Sequence, residues 1–189
     1  MKLLVATHNK HKKQEIEAVL KKTFEVVSLA DLLDDEVIDE TGDTFFENAL
    51  LKAKHYAKKH NMLTLADDSG LSIDYLNGAP GIYSARYSGG SDLDNLNLVL
   101  KEMAHATNRD AHFTCVLVLY DPRTNVYQTY QGKIYGWITH TAQGNHGFGY
   151  DPIFYVPELK QTLAELSPTH KNQISHRAIA LQALKEAFR

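Results

Sequence analysis

Apolar and polar positions alternate along this chain with two periods, and the changes of period mark its elements. Lys2 to Ala6 is a short apolar run, read as a buried strand. The polar stretch Thr7-His8-Asn9-Lys10-His11-Lys12 follows, and then Ile16, Val19 and Leu20 recur at helical spacing. Thr44-x-x-Glu47 is a capping-box signature that opens a helix to about His60, with Phe46, Ala49, Leu50, Ala53 and Ala57 as its apolar stripe. Met62 to Ala66 reads as a strand that ends in the acidic turn Asp67-Asp68-Ser69-Gly70, with a second strand after it. The loop NGAPGIYSARYSGG comes next, and Leu93, Leu96, Leu100 and Met103 mark another helix.

In the second half, His112 to Tyr120 is the strongest strand, with Val126 to Thr129 and Ile134 to Thr139 as two antiparallel partners. A glycine-rich loop, GNHGFGYDPIF, runs into a short apolar stretch. Ile174, Ala178, Leu181, Leu184 and Phe188 predict a closing amphipathic helix. Helices alternate with strands early and antiparallel strands dominate late. That order predicts an α/β (or α+β) domain built on a mixed sheet, with residues 1–189 as a single domain.

Composition narrows the function classes. The 189 residues are 43% hydrophobic and 23% charged, ordinary for a globular chain. A net charge of −3 does not mark a general nucleic-acid binder. No window reaches 18 uncharged apolar residues, so no membrane span is expected. The opening MKLLVATHNK has too short an apolar run for a signal peptide. The single cysteine, Cys115, lies within the apolar run FTCVLVL and reads as a core thiol. A cytoplasmic protein is expected.

Three sets of residues carry possible chemistry. Thr7 to Lys12 lies where a strand ends and a helix begins, so backbone N–H groups and the positive helix end face outward. With two lysines it suits a phosphate, although the Walker glycines are absent. Lysines there oppose the helix dipole, which a bound anion would offset. The second set is acidic: Glu40, Glu47, Asp67 and Asp68. Hard divalent cations such as Mg2+ are held by one or two carboxylates with water and substrate phosphates. The third set is Phe148, Tyr150 and Asp151 in GFGYDP, with Lys171, His176 and Arg177: an aromatic face beside several donors. Taken singly, each set also fits a plain structural role: a capped helix, an acidic turn, or a gap-filling Phe with solvated cations. Together they predict one nucleotide site with a phosphate loop, a metal-carboxylate centre and a pocket for a base.

The pieces ATHNKHK, ETGDTFFENALLKAK, LADDSGLSIDYLNGAPGIYSARYSG, GFGYDPIF and AELSPTHKNQISHRAIAL occur in that order over almost the whole chain. In these residues the chain resembles the inosine triphosphate pyrophosphatase family. These hydrolases convert purine nucleoside triphosphates with non-standard bases (dITP, ITP, XTP, dXTP) to the monophosphate and pyrophosphate. The resemblance implies a two-lobed structure around a mixed, twisted sheet with the site in the cleft, Mg2+ as cofactor and a homodimer. By position it implies that Thr7, His8, Asn9, Lys10, His11 and Lys12 hold the triphosphate, with Lys52 reaching a phosphate and Ser69 touching substrate. Glu40 and Asp68 would hold Mg2+, with Asp68 also the proton acceptor. Phe148, Gly149, Tyr150, Asp151, Lys171, His176 and Arg177 would hold the base. One departure is His8, where many members carry Gly. The readings that compete with it are a pyrophosphatase for modified pyrimidine nucleotides and a nucleotide-binding sensor without catalysis.

Overall fold

The protein, as a computed structural model, is described over residues 1–188. Seven strands form one mixed sheet in the order β2-β1-β3-β4-β5-β6-β7. They are β1 Lys2–Val5, β2 Glu25–Ser28, β3 Thr64–Ile73, β4 Asp110–Asp121, β5 Val126–Ile138, β6 Phe154–Val156 and β7 Gln161–Thr162. Strand β1 runs parallel to β2 and β3, whereas β6 is antiparallel to β5 and β7. The α-helices among the described residues are α1 Lys10–Leu20, α2 Phe45–His60, α3 Asp92–Glu102, α4 Pro168–Ile174 and α5 His176–Glu186. The mixed α/β class matches the sequence reading.

The chain packs as two compact units. The first holds residues 1–68, 115–132 and 176–189, and the second 69–114 and 133–175. In the first unit the period of two decides which layer each side chain joins. Leu3, Val5, Leu65, Cys115, Leu117 and Leu119 pack with Ile16 and Leu20 of α1 and Ala180, Leu181 and Leu184 of α5. Leu4, Ala6, Ala66, Val118 and Tyr120 pack instead with Ala49, Ala53, Tyr56 and Ala57 of α2. The sheet is therefore sandwiched, with α1 and α5 on one face and α2 on the other. In the second unit Leu71, Ile73, Phe113, Ile138 and Phe154 build a single core with Leu96 and Val99 of α3.

Both predicted helices of the first sixty residues form with side-chain caps. Asn9 accepts from the amides of His11 and Lys12, and Thr44 from that of Glu47. Each cap contributes about 1 kcal/mol. Four expectations are corrected. The acidic turn at Asp67-Asp68-Ser69-Gly70 is absent, because β3 runs through it without a break. The strands expected at Val126 to Thr129 and Ile134 to Thr139 are one strand, β5. The closing helix is two, since the chain turns extended at Ser175, which places Ile174 in α4. On α3, Leu93 is exposed and Val99 takes its expected place in the core. The short strand β2 was not expected.

Candidate active site

Strand β3 delivers the two aspartates. Their side chains follow the alternation of the residues before them: Asp67 shares a face with Leu65, toward α1 and α5, and Asp68 shares a face with Ala66, toward α2. The two carboxylates are sequence neighbours whose side chains leave opposite faces of β3, so each meets a different set of cations.

On the Asp67 side, Lys12 Nζ stands 3.1 Å from Asp67 Oδ2 and Arg177 Nη2 3.0 Å from the same oxygen. Arg177 Nη1 also donates to Glu15 of α1. Arg177 is 1% exposed, so its charge depends on these acids. Burial alone would push the Asp67 carboxyl up, but the charges of Lys12, then Arg177 and Lys52, hold it well below the usual range. Burial likewise disfavours the guanidinium, and Asp67 and Glu15 more than offset it.

On the Asp68 side, Lys52 Nζ lies 3.5 Å from Asp68 Oδ1 and 2.6 Å from Glu40 Oε1, bridging the two carboxylates. Here burial wins: the Asp68 carboxyl is pushed up, against Lys52 and Lys12, with Glu40 and Asp67 adding to the rise. Asp68 Oδ2 is buried and has no hydrogen-bond partner within the protein. Glu40 sits in an irregular segment fixed by Asn48, whose Oδ1 accepts the Gly42 N–H at 2.8 Å. Among the described residues no group of three or more His, Cys, Asp or Glu is arranged to hold a metal ion. Two carboxylates with one buried oxygen unpartnered fit a cation that completes its shell with water and substrate oxygens, as Mg2+ does, and not an all-protein cage.

The remaining predicted residues divide by role. In the loop, Asn9 Oδ1 is committed to capping α1, and the Asn9 N–H donates to Thr7 Oγ1. Lys10 and His11 are exposed in the first turn. The His8 ring is turned to the carbonyl of Glu36, 2.9 Å away. In the second unit, the Lys171 ammonium pairs with Asp151 and stands 4.5 Å over the Phe148 ring. Asp151 also accepts the Phe148 N–H at 2.8 Å, which fixes the Phe148-Gly149-Tyr150-Asp151 turn. The Tyr150 hydroxyl is spent on the Ser84 carbonyl at 2.8 Å. Ser69 follows Asp68 on β3, and His176, 5% exposed, opens α5 beside Arg177. Glu47 caps α2 through Asp43 N–H and Thr44, with no part in the acidic centre. Sequence reasoning missed Glu15 and gave no role to Asn48. Neither has a local signal, because each matters through a partner that folding brings to it.

Comparison with known proteins gives the family. The chain belongs to the Ham1 family, whose profile matches residues 3–187. A dITP/XTP pyrophosphatase of Bacillus licheniformis is 46% identical over 187 residues, covering 96% of this chain and 95% of that protein. The solved structure of the Staphylococcus aureus Ham1 protein superposes with a TM-score of 0.88 at 41% identity, covering 100% of both chains. A HAM1 protein from Coxiella burnetii gives 0.90 at 38% identity, covering 99% of this chain and 98% of that one.

Proposed function

We propose that this protein is a nucleoside triphosphate pyrophosphatase that hydrolyses dITP, ITP and XTP to the monophosphate and pyrophosphate. The observation that carries the reading is the Asp68–Lys52–Glu40 group, with a raised carboxyl and an unpartnered oxygen, beside a capped helix start rich in cations. The name borne by the Bacillus licheniformis relative supports it.

The reaction needs a water activated, phosphate charge offset, and pyrophosphate released as a unit. Water attacks the α-phosphorus, and the bond to the bridging oxygen breaks. Asp68 accepts the proton of the attacking water, a role suited to a carboxylate made more basic by burial. Thr7, the first-turn amides of α1, Lys10 and Lys12 hold the phosphates, and Lys52 moves from the acids toward them. Glu40 and Asp68 are the residues that would hold Mg2+, which supplies charge neutralisation on the phosphate oxygens. Phe148 offers a face for the base and Lys171 a donor to its 6-oxo oxygen. Arg177 organises Asp67, and through it Lys12. The working form is a homodimer in the cytoplasm. No helix of the described residues is long and apolar enough to cross a membrane.

A pyrophosphate-release assay over dITP, ITP, XTP, GTP and ATP with Mg2+ tests the reading. Turnover of dITP, ITP and XTP well above that of ATP and GTP is expected. Equal turnover of all five, or none, would sink it.

A further inference from the structure

The irregular segment of residues 34–43 carries Glu40, and the structure shows what holds it. At its start, Asp34 is paired with Lys59 (2.7 Å) and His60 (2.6 Å) at the end of α2, and Glu36 with Lys59 (2.7 Å) and His55 (3.2 Å). At its far end Asn48 takes the Gly42 N–H. One further tie comes from elsewhere in the chain. His8, in the loop between β1 and α1, places Nε2 2.9 Å from the Glu36 carbonyl oxygen. A carbonyl only accepts, so this nitrogen carries the proton. The hydroxyl of Tyr56, a residue of α2 that is 2% exposed in the core, donates to the same oxygen. Both lone pairs of the Glu36 carbonyl are thereby used, one by a core tyrosine and one by the anion loop.

We propose that His8 is a positioning residue, not a phosphate ligand. It is a strut that joins the anion loop to the segment of Glu40, so that the phosphate-binding and cation-binding groups keep one relative geometry. The proposal rests on the nucleotide–metal reading above. It goes beyond it by assigning to His8 the coupling between the two halves of the phosphate end. Loss of the strut should weaken cation capture at Glu40 while leaving the loop's own hold on an anion almost intact.

The test compares wild type with His8→Gly and His8→Gln, the glutamine amide being able to donate to the same carbonyl. Amide hydrogen exchange should be at least several-fold faster across residues 34–43 in His8→Gly, with α1 and α2 unaltered, and should return toward wild type in His8→Gln. The Mg2+ concentration for half-maximal ITP turnover should rise three- to tenfold in His8→Gly, and kcat at saturating Mg2+ should change by less than twofold. Mn2+ binding followed by electron paramagnetic resonance, in the presence of inorganic pyrophosphate, should weaken in the same proportion. Unaltered exchange in 34–43 would overturn the proposal. So would equal loss of pyrophosphate affinity with and without a divalent cation, which would make His8 a phosphate ligand. If the wild type turns over no nucleotide, the functional reading fails, while exchange and Mn2+ binding still judge the strut.

Discussion

The face of β3 that carries Asp67 and the face that carries Asp68 hold the same side chain, one residue apart, under opposite electrostatic terms. Asp67 meets two cations and a second acid that shares one of them, so its charge is compensated and its carboxyl is held low. Asp68 meets one ammonium that it shares with Glu40, so its charge is under-compensated and its carboxyl is raised. Burial is common to both and does not tell them apart. The count of nearby cations does, and that count is set by which helix each face of the sheet receives. The first face is built for stability, and the second retains unmet demand for positive charge.

Breaking each face should therefore break a different property. The largest effect is expected for Asp68→Asn, which removes the proton acceptor and a cation ligand. Its kcat should fall by about 10²–10⁴-fold, with thermal stability equal to or above wild type. A variant that keeps more than a tenth of wild-type kcat at saturating Mg2+ would move the base elsewhere. Asp67→Ala should do the reverse and destabilise the fold by about 3–5 kcal/mol, the range for stripping one partner from a buried ion pair. Urea unfolding measures this, and a loss under 1 kcal/mol would show that Glu15 alone suffices for Arg177.

Lys12→Ala should lower stability in urea, because Lys12 leads the charges that hold Asp67 ionised, but by less than Asp67→Ala, since Arg177 still faces Asp67. It should lower kcat/KM for ITP by tenfold or more, as loss of a charged hydrogen bond worth about 1.5–3 kcal/mol implies. An unchanged kcat/KM would return Lys12 to a purely structural part. The smallest effect belongs to Asp34, outside both faces. Lys59 above all, with His60, holds its carboxyl below the ordinary 3.8, so the folded state favours the charged form. The stabilisation is complete above that value and is lost as pH falls through the lower folded one. Lys59 is 39% exposed, so solvent screens its end of the pair, and the difference in urea midpoint between wild type and Asp34→Asn should be modest at pH 7. It should shrink at pH 3 and below; a difference that widens there would refute the linkage.

Local signals in the sequence were read correctly where one residue and its near neighbours suffice. The Thr44 cap and the α2 stripe are of this kind. The errors came where a residue answers to something distant. Gly70 reads as part of a turn, and Gly132 falls in the gap between two expected strands; Gly in a strand pattern often marks a bulge or a bend. Both lie within strands that other backbone approaches closely. A Cβ on Gly70 would stand 2.3 Å from the Gly81 carbonyl oxygen, and one on Gly132 2.1 Å from that of His176. Arg177, expected from the resemblance to hold the base, pairs with Asp67 and Glu15, which lie 110 and 162 residues away along the chain. Phe148 and Lys171 were grouped correctly by chemistry, but that Asp151 fixes both follows only from the fold.

The alternation along β3 also makes the strand behave as a two-phase reading frame. Deleting one residue between Thr64 and Ala66 would preserve every functional side chain in the chain, yet hand Asp67 to the α2 face and Asp68 to the α1 and α5 face. The charge suited to Lys12 and Arg177 would then stand before Lys52, and Ala66, with Leu65 gone, would change layers as well. Conservative exchanges of volume at these positions are tolerable changes of letter. A change of length by one is a frameshift in space, so such lengths are expected to be far less variable than the residues that fill them.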